Sequence, residues 1–269
     1  QVMQAASSVR LGEHNVVIAG GMESMSNAPQ LLMGQRSGQK MGDSKLIDSM
    51  IHDGLWDVYN NMHMGNTGEI IAKECSITRS QADEFAAQSH SKAAKAWEEG
   101  WFDWETFPIS VPQRRGDNLV LERDEGVRSD STVDSLSNLR TVFDKDGIVT
   151  AGNASTLNDG ASAVLVTSET YAKQQGWEII ATIEDYCTAG VEPERVMSAP
   201  IPAVRNLLKR NKLDVLDVDV YEHNEAFASA SCAVAQEIGI PHDRFNLHGG
   251  AVSLGHPLGA SGSRCLITM

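Results

Sequence analysis

Gly249-Gly250-Ala251-Val252-Ser253-Leu254-Gly255-His256-Pro257-Leu258-Gly259-Ala260-Ser261-Gly262 is the stretch on which the reading of this chain turns. The apolar run 251–254 predicts a short strand, the Gly/Pro residues after it a tight turn, and the residues beyond a helix. A residue before proline is pushed out of the helical region, so His256 is expected to cap the strand end. The flanking glycines would let a ligand come close to the backbone. An imidazole so placed can take a proton from a thiol or donate to a developing oxyanion near neutral pH. A helix-start histidine in a Gly-rich turn, with no chemistry, fits the same local pattern.

Outward from that turn the chain alternates strands and helices. A helix is predicted near 2–11 with Gly12 as its stop, then a buried strand at 16–19 ended by Gly20-Gly21. From about 22 to 146 the composition shifts to Met- and Trp-rich loops, which predicts an insertion on an α/β core. Within it, Thr78-Arg79-Ser80-Gln81 reads as a capping box opening an Ala- and Glu-rich helix that stops at Gly100. Short strands are expected at 109–111 and 119–121. Further strands are expected at 161–167, 178–186 and 218–221, with helices from Pro202 through Leu208 and up to Gly239. The pattern is α/β, and chemistry in such folds gathers where strands end and helices begin.

Composition narrows the function. The 269 residues are 41% apolar and 22% charged, an ordinary globular balance. A net charge of −14 argues against a nucleic-acid surface, though not against a local basic patch for a phosphorylated ligand. No apolar run approaches the roughly 18 residues of a membrane span. Cys75, Cys187, Cys232 and Cys265 are far apart, so neither a zinc site nor a disulfide framework is expected, and a reducing, cytoplasmic setting is. Both ends fall inside helical patterns and neither carries a cap, so a longer parent is the expectation. A targeting peptide upstream would lie outside this reading.

Two more segments carry candidate chemistry. Asn224, in His223-Asn224-Glu225-Ala226-Phe227-Ala228, follows a predicted strand and could hold a water or donate its amide into a site. On local evidence alone a helix N-cap is the favoured reading. The small polar residues 150–161 suit a backbone lying against a ligand, and equally a connecting loop.

Taken together, Gly-Gly-Met-Glu-Ser-Met-Ser at 20–26, Ala-Gly-Asn-Ala-Ser at 151–155, Asn-Glu-Ala-Phe-Ala at 224–228 and Gly-His-Pro-Leu-Gly-Ala-Ser-Gly at 255–262 resemble the thiolase family, in its order and spacing. The segment 57–65, ending His63-Met64-Gly65, resembles the acetoacetyl-coenzyme A type. The resemblance implies two α/β halves in five layers, helix–sheet–helix–sheet–helix, with a loop domain in the first, and an incomplete copy of that fold here. The first half would be 1–168, with the loop domain at about 22–146, and the second 169–269. It implies an acetyl-CoA acetyltransferase that condenses two acetyl-CoA or runs the reverse thiolysis, with coenzyme A as substrate or product, no cofactor and no metal.

By the same resemblance His256 activates a nucleophilic cysteine and helps hold the thioester oxygen, and Asn224 positions a water in that oxyanion hole. Ser155, His63 and Met64 lie beside the pantetheine arm, Ala226 and Phe227 line the tunnel wall, and Arg128 stands near the coenzyme's phosphates. The nucleophile is expected roughly half a dozen residues before Gln1 and the acid/base cysteine beyond Met269, so the 269 residues alone should be inactive. None of the four cysteines present reads as a substitute; Cys232 and Cys265 read as core packing. Met197-Ser198-Ala199-Pro200 departs from the family's glycine-containing loop, and His223 stands at a commonly apolar position. A homodimer or homotetramer acting on acyl-CoA, with no nucleic-acid or membrane partner, completes the implied picture. The alternatives are a non-catalytic thiolase-like module that binds coenzyme A, a longer-chain 3-ketoacyl-CoA thiolase, and a β-ketoacyl synthase, against which Asn-Glu-Ala-Phe-Ala speaks.

Overall fold

The structure is a computed structural model that describes all residues, 1–269. It opens with helix α1 (Val2–Arg10) and strand β1 (Val16–Ser24). Short strands β2 (Gln30–Leu32), β3 (Leu46–Asp48), β4 (Trp56–Asp57) and β5 (Met62–His63) lead into helices α2 (Met64–Glu74) and α3 (Arg79–Glu98). Strands β6 (Ile109–Val111) and β7 (Leu119–Leu121), helix α4 (Val133–Ser137), strand β8 (Asp159–Thr167) and helix α5 (Glu169–Gln175) follow. Helices α6 (Pro200–Asn211), α7 (Ala228–Ile238), α8 (Ala251–Leu254) and α9 (Ser261–Thr268) complete the chain. The strands pair as four two-stranded antiparallel sheets: β1 with β8, β2 with β3, β4 with β5 and β6 with β7.

Helices fall where local chemistry demands them. Thr78 accepts from the Gln81 backbone and Gln81 returns the bond, the reciprocal cap predicted for α3. Gly239, left-handed at φ +84°, closes α7 as expected. Helix α7 is apolar nearly all round and lies at the centre. Its Ala230 and Ala233 join Ile71 and Val149 in one cluster, and Val234 and Ile238 join Ile201 and Phe245 in another. A helix buried on that many sides needs small side chains, which the Ala/Ser run 228–231 supplies.

Four strand expectations are corrected. Strand β1 does not end at Gly20-Gly21 but runs through it to Ser24, paired to β8 throughout. Those glycines serve close approach: a Cβ on Gly21 would sit 1.7 Å from the Gly259 carbonyl oxygen, and one on Gly259 would sit 2.3 Å from that of Met22. Gly259 therefore seats the end of the His256 turn against β1. Residues 178–186 form no strand, because no neighbouring strand completes a ladder; Ile180 stays exposed. At 218–221 only Tyr221 pairs, in a single bridge to Phe245. Residues 251–254 are one helical turn, whose Val252 N–H is taken by the buried Glu225 carboxylate at 3.1 Å. His256 accordingly follows a helical turn, not a strand.

Candidate active site

Asn224 and His256, 32 residues apart, meet: Asn224 Nδ2 lies 3.3 Å from His256 Nε2. The N-cap reading of Asn224 is excluded, since the cap residue of α7 is Phe227. On the far side of the ring, His256 Nδ1 lies 2.6 Å from Ser261 Oγ, and the Ser261 hydroxyl donates to the Pro257 carbonyl at 3.0 Å. A hydroxyl has one proton. In the tautomer where the Ser261 proton stays on Pro257, Ser261 Oγ accepts from Nδ1–H and Nε2 is a lone pair facing Asn224 Nδ2. Burial, with a smaller push from the Arg264 guanidinium, lowers His256 to about 4. The ring is neutral at pH 7, with its basic nitrogen held in the polar cluster. Asn224 Oδ1 is buried and has no hydrogen-bond partner within the protein, leaving an acceptor available to a water or ligand.

The loop at 150–158, ahead of β8, is the frame that joins the two segments. Ser155 N–H donates to the Ala226 carbonyl at 3.0 Å, Ala228 N–H to that of Asn153 at 2.9 Å, and Ala154 bridges Phe227. His256 N–H donates to the Thr156 carbonyl at 3.2 Å. Asn153 is buried and fixed in turn by Asp83 of α3, to whose carboxylate its Nδ2 donates at 2.8 Å. Ser155, Ala226, Phe227, Asn224 and His256 thus belong to one bonded cluster.

His63 and Met64 reach it through a residue the sequence did not single out. His63 caps α2, its Nδ1 accepting from Gly65 N–H at 3.0 Å, and its ring stacks on Phe143 at 4.7 Å. Phe143 stands edge-on to Phe227 at 6.2 Å. Met64 begins α2, half-buried. Arg128 lies further out: its backbone N–H donates to buried His90 Nδ1 at 3.1 Å while its guanidinium is exposed and makes no salt bridge. Its segment is seated on α8, since a Cβ on Gly126 would fall 2.8 Å from the Ser253 carbonyl oxygen.

Sequence reasoning missed Ser261, Phe143 and Glu225. Ser261 stood inside the quoted motif, five residues after His256, a spacing that can return a side chain to the ring. Glu225 was visible only as a charge inside an apolar segment, yet is 1% exposed. His223, left open above, is a structural residue: its ring stacks on Phe245 at 5.8 Å, its Nδ1 meets Ser231 Oγ at 3.1 Å, and burial lowers it to about 4.

Three of the four cysteines are held as thiols by burial. Burial raises Cys232 to about 12 and Cys265 to about 11 and moves Cys75 upward, while Cys187 donates to the Ala203 carbonyl at 3.1 Å. The chain contains no group of three or more His, Cys, Asp or Glu side chains that could hold a metal ion, and no helix is long and apolar enough to cross a membrane.

Comparison with known proteins identifies the family and the fold. The family model of the thiolase N-terminal domain matches residues 1–170, and that of the thiolase C-terminal domain residues 177–269. An acetyl-CoA acetyltransferase from Cupriavidus necator is 50% identical over 268 residues, which are 100% of this chain and 68% of that protein. The crystal structure of human mitochondrial 3-ketoacyl-CoA thiolase superposes with a TM-score of 0.95 at 37% identity, over 99% of this chain and 67% of its own. That of the Bacillus anthracis acetyl-CoA acetyltransferase also gives 0.95, at 40% identity, over 99% and 67%. The chain thus spans about two thirds of the length of these relatives, and across that span it has their fold. It belongs to the thiolase family.

Proposed function

We propose that this chain serves acyl transfer between coenzyme A thioesters as an acetyl-CoA acetyltransferase, joining two acetyl-CoA into acetoacetyl-CoA and free coenzyme A, or running the reverse thiolysis. The observation that carries the reading is the His256–Asn224 pair, with Ser261 Oγ against the ring's Nδ1. A lone pair on Nε2 takes the proton of an attacking thiol, and the thiolate then adds to the thioester carbonyl. The resulting Nε2–H and the neighbouring Asn224 amide are donors for the tetrahedral oxyanion. As that intermediate collapses, the Nε2 proton passes to the departing coenzyme A sulfur. A second thiolate removes the α-proton of the incoming acetyl-CoA, and the enolate attacks the acyl group.

The cysteine acyl-enzyme is part of the proposal. Since none of the four cysteines here suits it, the thiols are to be sought in the third of the relatives' length that this chain does not span. Ser155, His63, Met64, Ala226 and Phe227 would line the pantetheine arm, and the unpaired Arg128 guanidinium would meet the coenzyme's phosphates. A homodimer or homotetramer, a cytoplasmic setting and the absence of a cofactor are carried by the same reading. Identity to the Cupriavidus necator acetyltransferase favours the two-carbon substrate over longer 3-ketoacyl chains.

The test is a hybrid in which residues 1–269 replace the matching 68% of the Cupriavidus necator protein. It should cleave acetoacetyl-CoA faster than longer 3-ketoacyl thioesters, and His256→Ala should reduce the rate by about 10²–10⁴-fold. Coenzyme A binding without cleavage would make the chain a binding module instead.

A further inference from the structure

We propose that Glu225 is a positioning residue: its buried carboxylate is the shared acceptor that holds the Asn224 segment and the His256 segment in register. The inference rests on reading His256 and Asn224 as the reacting pair.

Three segments converge on this one side chain. Ser89 of α3 donates to Oε2 at 2.6 Å, Val252 N–H of α8 donates to the same oxygen at 3.1 Å, and Asn246 Nδ2 donates to Oε1 at 2.8 Å. Glu225 is the covalent neighbour of Asn224, and Val252 lies four residues before His256. The carboxylate thus ties together the two segments that carry the site residues. The space is cut to fit: a Cβ on Gly250 would fall 2.4 Å from Glu225 Cδ. Ser89 also accepts from Gly250 N–H at 3.1 Å and lies 2.9 Å from Ser253 Oγ, so the α8 turn is held at both its ends by the same pair of side chains.

The third partner extends the frame. Asn246, left-handed at φ +47°, accepts from His223 N–H at 2.7 Å and donates to the His223 carbonyl at 2.9 Å, on the other side of Asn224. Its amide therefore has one orientation only. All three groups facing Glu225 are donors, a set that an acceptor-only carboxylate satisfies and an amide cannot. In Glu225→Gln the new N–H₂ must face either Asn246 Nδ2 or the Val252 N–H and Ser89 hydroxyl. Rotating Asn246 to escape would break both of its bonds to His223.

The experiment is an NMR titration of the His256 imidazole in the folded chain, in wild type, Glu225→Gln, Ser89→Ala and Ile71→Val. Ile71 lies in the core cluster that backs Phe227 and makes none of the Glu225 hydrogen bonds, so it serves as the control for general loosening. In wild type burial should hold His256 well below its ordinary value, at about 4. Glu225→Gln should move it toward its ordinary value by about one pH unit or more, because a ring released from its frame regains solvent. Ser89→Ala should give a smaller shift in the same direction, and it decides the matter alone if Glu225→Gln does not fold. Ile71→Val should leave the titration in place. An unchanged titration in folded Glu225→Gln, or an equal shift in Ile71→Val, would overturn the proposal. The titration needs no turnover, so a hybrid that fails to cleave acetoacetyl-CoA would refute the functional reading and leave this result standing.

Discussion

Two histidine turns face the same cluster and are wired in opposite senses. At 63–65 the His63 Nδ1 accepts from Gly65 N–H, so its proton sits on Nε2 and the ring presents a donor. At 256–261 the His256 Nδ1 lies against Ser261 Oγ, and with the Ser261 proton on Pro257 the ring's Nε2 presents a lone pair. Both rings are pushed below the ordinary histidine value, chiefly by burial, and both are neutral at pH 7. The difference lies wholly in which local group satisfies Nδ1. A backbone N–H at a helix start makes a histidine a donor; a hydroxyl already committed to a carbonyl makes it a base.

The contrast can be broken at either turn. The largest effect is expected for Asn224→Ala, which removes the donor beside His256 Nε2. Thiolysis by the hybrid should fall about 100- to 1,000-fold, with substrate binding little changed. A loss confined to substrate binding would place Asn224 outside the reacting centre. Next comes Gly65→Ala: the new methyl would lie 2.1–2.3 Å from Phe143 ring carbons, so the His63–Phe143 stack must open. Denaturant unfolding should report about 1–3 kcal/mol of lost stability, as overpacking does. Wild-type stability would mean that Phe143 has another seat.

A smaller effect separates the turns by pH. His256 falls from an ordinary 6.5 to about 4 on folding, so below pH 6.5 the unfolded chain binds a proton that the folded one refuses. Its contribution to stability therefore drops as the pH falls through that window. Many other groups also titrate there, so the clean observable is wild type minus His256→Gln. That difference should rise by about 1.4 kcal/mol per pH unit between roughly pH 4 and 6.5 and flatten above. A flat difference throughout would mean that His256 is not withheld from protons. The smallest effect is that of Ser261→Ala, which removes one hydrogen bond, about 1 kcal/mol, and lets the ring proton move between nitrogens. Hybrid thiolysis should fall several-fold, and Ser261→Thr should restore most of it.

How much of this was legible in the sequence depended on whether an element satisfies itself. Helix α3, with its reciprocal Thr78–Gln81 cap, and α7, with its Gly239 stop, could be read because cap and stop are local. Residues 178–186 and 251–254 could not, because a strand exists only with a partner. The apolar pattern of 251–254 reflects burial around Glu225, not a ladder. Gly20-Gly21 misled for a related reason. Glycine usually punctuates a strand, but here it admits Gly259, more than two hundred residues away in sequence. At the site, His256 and Asn224 were each visible as side chains with chemistry, but their 3.3 Å contact depends on the 150–158 loop and on Glu225. Ser261 was on the page without a role, since a hydroxyl's hydrogen-bond sense cannot be read before its partners are known.

The most direct measurement of the central claim is the tautomer of His256, read from its ring ¹⁵N chemical shifts in the folded chain at pH 7. The account predicts a protonated Nδ1 and an unprotonated Nε2, a base poised beside Asn224. A proton on Nε2, or a charged ring at that pH, would contradict it.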